Sequence, residues 1–373
     1  MTASRMVFAT PGGDDNHPWA WAFVSALQAQ IDVEYCLAEL SDQERAIAER
    51  TVPSSRPLMR KIMVERSEAA AEMRRARVKD RLQRGPRRWL HLQLYTNDVL
   101  PLDCLEAVYT DIFLGMLEER GADVPGFDWD AEFLEQALQR ERTLLTHCRR
   151  VYVTSEWVAD YGRRKLGLGD RIVVAGVGAV VAPEEPPGRR DPLLPPRLVF
   201  IGNDAERKGL DLVLAAYARI RTVLPNVELS VVGRARVESD LPVMWHGYID
   251  ARTHEGCNRL SSILSDATLF LLPTRFDPVA IAFLDAMSHS LPIIGPRDCM
   301  VPEYLEEGVT GRFCKRDAED IARVVLECLR DPAACLAMGS RARDVQQRDY
   351  RWDCVVRRIL DDWRDSDRGE RTA

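Results

Sequence analysis

The second half of the sequence narrows the choice of fold more than any other feature. From residue 197 it reads RLVFIG, LDLVLAAYARIRTVL, VELSVVG, VMWHGYI, RLSSILSD, ATLFLLP, VAIAFLDAMSHS and PIIG in succession. Short apolar runs rich in β-branched residues alternate with longer runs of helical spacing. Strands and helices alternating at this length predict a parallel sheet covered by helices on both faces. Runs that are apolar throughout, such as LFLLP, predict strands buried on both sides. The fold class expected is α/β with a doubly wound sheet.

The proline-rich stretch APEEPPGRRDPLLPPR, residues 182–197, blocks regular structure and reads as a linker. At 373 residues the chain is too long for one ordinary core and suits two domains. The first half repeats the opening unit of the second, since RMVFATPGG pairs a short strand with a glycine turn as RLVFIGNDAERKG does. Strands are also expected at VYTD and VYVTS, and a helix near DAEFLEQALQRERTLLTHC. Between RMVFATPGG and VYTD lies an arginine-rich passage, residues 60–88, expected to be helical. After the second sheet, DAEDIARVVLECL and RWDCVVRRILDDW read as amphipathic helices, the last placed to cross back onto the first domain. The expected division is 1–181, 182–197, 198–345 and 346–373.

Composition removes some function classes. A net charge of -7 argues against a general nucleic-acid binder, and no nucleic-acid partner is expected. Nine cysteines, scattered without a C-x-x-C pair, fit reduced thiols better than disulfides or a zinc site. There is no apolar run of about 20 residues, and MTASRMVFATPGG lacks the apolar core of a signal peptide. A cytoplasmic location is expected.

In a doubly wound sheet, ligands bind beyond the carboxyl ends of the strands, where helix N-termini favour anions. GNDAERKG and TRFDPVAI both occupy such turns. The first offers Gly202 at a strand end, then Arg207 and Lys208, a fork and a point charge suited to a diphosphate. A solvated basic turn explains the same residues. The second offers Asp277 and Asp285, eight positions apart in an otherwise apolar segment. Asp277 before Pro278 has the form of a helix N-cap and first helical position. Asp285 sits among Ala282, Phe283, Leu284, Ala286 and Met287, where a carboxylate needs hydrogen-bond donors, such as a ribose diol. The backbone N–H groups of Val279, Ala280 and Ile281 would face an anion in the same place.

On these residues the segment from about 198 to 345 resembles the donor-binding domain of the retaining glycosyltransferases of family 4 (glycosyl transferases group 1), which have the GT-B fold. Gly202, Lys208 and Gly209 match that family's glycine and Lys-Gly pair. Asp277 and Asp285 match its E-x7-E as D-x7-D. HGYID, with Tyr248, matches its base-side loop, and VPEYLEEGVTGRF its Pro-Glu and Gly-x-x-Gly turn at Glu303, Gly308 and Gly311. In the first half, VYTDIFL and RERTLLTHCRRVYVTSEW are similar to one branch of the family. There Asp111 would face the cleft from the acceptor side, while Glu141 and Ser155 would be structural, Ser155 as a helix N-cap. TPGGDDNHPWAW occupies the first strand-to-helix turn, making Gly12, Gly13 and His17 candidates near phosphate and acceptor. The departures are Asp for both glutamates, Asn203 for an arginine, Ser290 for a glycine, and Cys299-Met300 for a Gly-Gly pair.

The resemblance implies two Rossmann-like domains with a cleft between them and transfer of a sugar from a nucleoside diphosphate, UDP or GDP, with retention. Arg207, Lys208 and helix N–H groups would stabilise the departing diphosphate, so that no metal or other cofactor is expected. By the same match Asp285 would bind ribose and Asp277 the donor sugar. The acceptor, a small molecule, lipid or glycan, is left open. The arginine-rich residues 60–88 read either as an interfacial helix peripheral to the inner face of a membrane, or, the favoured reading, as a solvated helix in which Glu65, Glu68 and Glu72 pair with arginines. A dehydrogenase is disfavoured by the absence of G-x-G-x-x-G, and an epimerase would need no acceptor. A catalytically silent nucleotide-sugar-binding subunit is the alternative.

Overall fold

The computed structural model describes residues 6–10, 18–37, 40–53, 60, 63–82, 88–92, 105–120, 129–183 and 194–372. The chain divides into two units, Met1–Gly176 with Val356–Ala373, and Val177–Val355.

The first unit is built on a parallel sheet of β1 (Met6–Thr10), β2 (Val33–Leu37), β3 (Arg88–Leu92), β4 (Leu105–Thr110), β5 (Arg150–Val153) and β6 (Ile172–Val174), in the order β2-β1-β3-β4-β5-β6. Its helices are α1 (Pro18–Gln28), α2 (Asp42–Glu49), α3 (Glu68–Leu82), α4 (Leu114–Arg120), α5 (Ala131–His147) and α6 (Glu156–Lys165). Strand β3 emerges from the end of the arginine-rich passage, which is therefore not helical throughout; α3 stops at Leu82, and RWLHL pairs in parallel with both β1 and β4. Ser155 caps α6 by accepting the Val158 N–H at 3.2 Å, as its position after a strand predicts.

The arginine-rich passage is also less solvated than expected. Arg66 and Arg74 are buried: Arg74 pairs with Glu65 and donates to its carbonyl at 2.9 Å, and Arg66 lies 3.8 Å from Glu141. Among the described residues of the passage, Arg75 with Glu68 has the exposed character of a surface pair. The apolar residues of the same segment are used internally, since Val64 packs with Leu40, Ala48 and Ala70, and Met63 is buried. Glu141 is structural, as the resemblance implied: its carboxylate accepts the Leu114 N–H that begins α4, at 2.9 and 3.0 Å. Burial outweighs Arg66 and that N–H and pushes its pKa up to about 7.

The second unit carries β7 (Arg197–Ile201), β8 (Glu228–Val232), β9 (Val243–Gly247), β10 (Leu269–Leu271), β11 (Ile293–Gly295) and β12 (Gly311–Phe313), all parallel, in the order β12-β11-β10-β7-β8-β9. The helices are α7 (Ala205–Lys208), α8 (Leu210–Val223), α9 (His254–Ser265), α10 (Ile281–Ser288), α11 (Val301–Tyr304), α12 (Ala318–Leu329) and α13 (Pro332–Asp349). The chain winds outward from β7 to β9, returns to β10 and winds the other way to β12. Crossovers of one hand then put the early and late helices on opposite faces. The central strands are buried as their composition requires: Leu198, Val199, Phe200, Leu269, Phe270 and Leu271 are all at most 1% exposed.

The second unit begins ahead of the proline-rich stretch because Asp285 and Ser288 hold Val180 and Val181 (see below). The last helix, α14 (Trp352–Thr372), belongs to the first unit from Val356 onward. Asp362 fixes it there, accepting Arg150 Nε at 3.0 Å and the Tyr152 hydroxyl at 2.8 Å, and Trp363 stacks on the Tyr152 ring. Among the described residues no helix is long and apolar enough to cross a membrane.

Candidate active site

The strand order of the second sheet reverses between β7 and β10. A reversal leaves the loops after the two strands diverging, which opens a crevice at their carboxyl ends. The loop after β7 contains Gly202, Arg207 and Lys208; the loop after β10 contains Thr274, Arg275 and Asp277. The candidate donor residues therefore meet because of topology, although about 70 positions separate them in sequence.

The β7 loop is shaped by close approaches. A Cβ on Gly202 would lie 2.9 Å from Lys208 Cβ. Gly209 adopts φ 79°, and a Cβ there would lie 2.5 Å from the Pro273 carbonyl oxygen. Glycine at 209 thus lets the two loops touch. Asp204 caps the short α7, accepting Arg207 N–H at 3.1 Å and Arg207 Nε at 3.2 Å. The Arg207 guanidinium also donates to the Phe276 carbonyl at 2.8 Å, reaching into the β10 loop.

Lys208 Nζ forms an ion pair with Asp277, and both side chains are largely buried. Burial holds the lysine pKa below its ordinary value, with Asp277 opposing. Burial alone would raise the Asp277 pKa, but Lys208 and Arg207 outweigh it and hold it below the usual carboxylate range. Asp277 Oδ1 accepts the Ala280 N–H at 2.9 Å. This corrects one expectation: α10 begins at Ile281, so Asp277 and Pro278 precede the helix instead of forming its cap and first residue. Ala280, the residue before the helix, takes a left-handed φ of 50°, a conformation costly for alanine, and its N–H already has a carboxylate partner. Val279 offers its carbonyl to the buried Tyr304 hydroxyl at 3.1 Å.

Asp285 is half-buried on α10. Its Oδ1 accepts the backbone N–H groups of Val180 at 2.7 Å and Val181 at 2.9 Å. Ser288 reinforces the contact by donating to the Val181 carbonyl at 3.0 Å. The donors that this carboxylate required are thus supplied, for one oxygen, by the protein's own backbone. Burial exceeds what those two N–H groups give back, and the pKa is pushed up to about 7.

Tyr248 follows β9 and receives the Arg234 guanidinium over its ring, 4.2 Å from the centroid. Asp111 lies in the first unit directly after β4 and is 8% exposed. Gly12, Gly13 and His17 lie outside the described residues. Among the described residues no group of three or more His, Cys, Asp or Glu is placed to hold a metal ion.

Several residues that build the site carry no motif. Thr274 Oγ1 donates to the Arg207 carbonyl at 3.1 Å, and the Arg275 N–H donates to the same oxygen at 2.7 Å. Arg275 then forks onto Asp211 at 2.7 and 2.9 Å, locking the β10 loop to the first turn of α8. Arg316 donates to the Thr274 carbonyl at 2.8 Å and pairs with Asp298 at 2.5 Å. The sole sequence signal was the threonine and arginine preceding Asp277 in TRFD.

Residues 195–331 match the family model described as glycosyl transferases group 1. Among curated proteins, the alpha-maltose-1-phosphate synthase of Mycobacterium tuberculosis is 27% identical over 191 residues, covering 45% of this chain and 48% of that one. The chain thus spans about half the length of the curated relatives it matches. Among solved structures, sucrose-phosphate synthase from Thermosynechococcus elongatus superposes with a TM-score of 0.73 over 98% of this chain and 100% of that one, at 16% identity. Anabaena HepE, in complex with UDP and glucose, gives 0.61 over 97% and 99%, at 11% identity. At such identities the likeness is one of fold, and the fold is GT-B, with two Rossmann-like units of parallel sheet and helix. The family match, confined to residues 195–331, covers the sheet whose reversal brings Lys208 to Asp277, and over that segment the chain is similar to the glycosyl transferases group 1 family.

Proposed function

We propose that the protein is a retaining, metal-independent glycosyltransferase that moves a sugar, a hexose in the expected case, from a nucleoside diphosphate to a hydroxyl acceptor. The observation that carries this reading is the Lys208–Asp277 pair at the reversal of the second sheet. A diphosphate entering there offers Lys208 a second anionic partner. As the ammonium turns to phosphate, Asp277 Oδ2 becomes available to a sugar hydroxyl. Charge recognition and sugar recognition are thereby exchanged within one pair. Arg207 lies beside it and adds a second cation for the oxygen that leaves the anomeric carbon. Positive groups fixed in a partly dry site stabilise that developing charge more than water does.

The further roles rest on the family resemblance. Asp285, whose Oδ1 holds Val180 and Val181, would present its other oxygen to a ribose hydroxyl. Tyr248 would lie beside the base, Gly202 and Gly13 near phosphate, and Asp111, Gly12 and His17 toward the acceptor. UDP- and GDP-sugars are the donors to try first, the Anabaena relative of like fold having been solved with UDP and glucose. Glycans, lipids and small alcohols form the acceptor panel. The buried pairs of Arg66 and Arg74 favour a structural role for the arginine-rich residues over contact with a membrane.

The test is melting of wild type and Lys208→Ala with UDP, GDP, ADP and dTDP, since a ligand of the folded state raises Tm. A base-selective shift weakened in the variant selects the donor; transfer assays with and without EDTA, and the anomer of the product, then test the reaction. A flat response to every nucleotide would remove the donor site. One observation favours a second reading: both acids of D-x7-D have protein partners in the chain itself. A catalytically silent nucleotide-sugar-binding subunit would bind the donor and never turn it over.

A further inference from the structure

We propose that the second unit carries a separate pocket for a phosphate-type oxyanion, inorganic phosphate or a small phosphate monoester, between strands β7 to β9 and helix α9. A cavity of about 270 Å³ lies there, lined by Arg197, Ser230, Met244, His246, Arg259 and Ser262 among others. None of these belongs to the donor site. The pocket includes Arg197, the first residue of β7, whereas Lys208 and Asp277 follow the carboxyl ends of β7 and β10.

The sheet pattern explains how these groups converge. In parallel register Arg197 stands opposite Glu228, Val199 opposite Ser230, and Ser230 opposite Met244. Side chains alternate along a strand, so Arg197, Glu228, Ser230, Met244 and His246 share a face. Arg197, Glu228, Ser230 and His246 form a polar group on that face beside the apolar Val199 and Met244. Ser230 is 2% exposed between buried Leu229 and Val231, and its hydroxyl meets His246 Nε2 at 3.2 Å. A serine and a histidine at such positions add nothing to packing that alanine or valine would not supply better.

The charges favour an anion. Arg197 forks onto Glu228 at 2.7 and 2.8 Å and lies 3.5 Å from Asp266, which is 62% exposed and so well screened. Arg259, on α9, donates to the His246 carbonyl at 3.1 Å, one of five N–H donors that a guanidinium has. The groups facing His246 are thus Arg197 from β7, Glu228 from β8, and Arg259 and Asp266 from α9. Burial, then Arg259 and Arg197, hold the imidazole pKa below its ordinary value. A phosphate seated beside the ring would answer both guanidiniums, accept from the hydroxyls of Ser230 and Ser262, and favour the protonated imidazole. A cavity of this volume accommodates a phosphate or a small monoester.

The test follows the His246 imidazole C–H signals by NMR, assigned with His246→Gln, as pH is varied at constant ionic strength with chloride, inorganic phosphate or glycerol phosphate. The expected result is a His246 pKa raised by about one unit in phosphate, diminished in Arg259→Ala and unchanged in Lys208→Ala. Arg259 is exposed, so its truncation leaves the fold intact. Tighter binding of glycerol phosphate would identify a phosphorylated metabolite as the ligand, and equal binding would identify inorganic phosphate. A His246 pKa indifferent to tens of millimolar of either anion would overturn the proposal. So would a shift that survives Arg259→Ala but disappears in Lys208→Ala, since the anion would then be acting from the donor site. The outcome does not depend on whether any sugar is transferred.

Discussion

Asp285 accepts the backbone N–H of Val181 at 2.9 Å, so that one carboxylate oxygen ties the middle of α10 to a chain segment 104 positions earlier. The same oxygen takes the neighbouring N–H of Val180. A side chain that looked in sequence like a binding group held in reserve is therefore also the anchor of the first residues of its unit. Both uses explain why an acid is present in an apolar helix, and they make different demands on its charge.

The pH dependence separates them. The Asp285 pKa is about 7 in the fold against an ordinary 3.8. A raised folded pKa means that the fold prefers the protonated acid. The stability this group contributes is fully present below about pH 4 and is lost as pH rises through about 7. Asp285→Asn keeps an acceptor for Val180 and Val181 and has no charge to desolvate. Urea denaturation at pH 5 and pH 8 should show a smaller loss across that interval in the variant than in wild type. Equal losses would mean that Asp285 is not the titrating group. Glu141, also raised to about 7, contributes in the same direction, and Glu141→Gln removes its share independently.

The Lys208–Asp277 pair predicts a large asymmetry between single and double substitutions. Lys208→Ala strands a carboxylate whose side chain is 12% exposed, and removing one partner of a buried pair costs about 3–5 kcal/mol. Arg207 and the Ala280 N–H, which remain, place the expected loss at the lower end. Lys208→Ala with Asp277→Ala should recover part of it, giving a coupling energy of about 1–3 kcal/mol in a double-mutant cycle. Additive losses in denaturant titrations would show that the pair does not interact in solution.

At Gly209 the prediction concerns space. A methyl group there meets the Pro273 carbonyl at 2.5 Å while the backbone stays at φ 79°. Gly209→Ala should cost about 1–3 kcal/mol and displace Arg207 and Lys208 from the β10 loop, abolishing the nucleotide-induced rise in Tm. Gly308→Ala is the control, because φ is 72° with nothing within 4 Å of the added carbon. It should carry the conformational cost alone and leave nucleotide binding intact. Equal effects at the two glycines would contradict the close approach.

What could be read from sequence follows from how locally each feature is determined. The central strands of the second sheet were legible because burial on both faces makes LVF of β7 and LFL of β10 apolar throughout, a signal confined to a few positions. GNDAERKG and the D-x7-D spacing were legible because turn chemistry is local as well. Strand β3 was hidden, since RWLHL closes a run of arginines whose helical spacing extends almost to it. Arg66 ran against expectation because a buried arginine depends on a partner such as Glu141 arriving from elsewhere in the fold, and Arg74 because its partner, the expected Glu65, pairs with it in the interior and not at the surface. The same holds for Arg275: its fork onto Asp211 spans 64 positions, and no periodicity records it. Asp277 looked like a cap because Asp-Pro commonly is one; the left-handed turn at Ala280 delays the helix by three residues.

The C-terminal helix supplies the last prediction. From Val356 it belongs to the first unit, and Asp362 is the residue that fixes it, accepting Arg150 Nε at 3.0 Å and the Tyr152 hydroxyl at 2.8 Å. Arg150 and Tyr152 lie on β5, so the contact joins the last helix to the strand next to the edge of the first sheet. Its exposure is moderate, 28% for Arg150 and 23% for Asp362, which limits the effect of Asp362→Ala to about 1–3 kcal/mol. Hydrogen exchange should quicken in residues 356–365 before any change in the second sheet, because the Asp362 anchor is lost while the helix keeps its apolar contacts, Val356, Ile359, Leu360 and Trp363, and the Arg358 hydrogen bond to the Ala175 carbonyl at 3.0 Å. Asp361→Ala is the matched control: its partner is Arg364, both are more than half exposed, and its loss should fall within about 0.5 kcal/mol. Equal exchange in the two variants would show that Asp362 does not hold the helix.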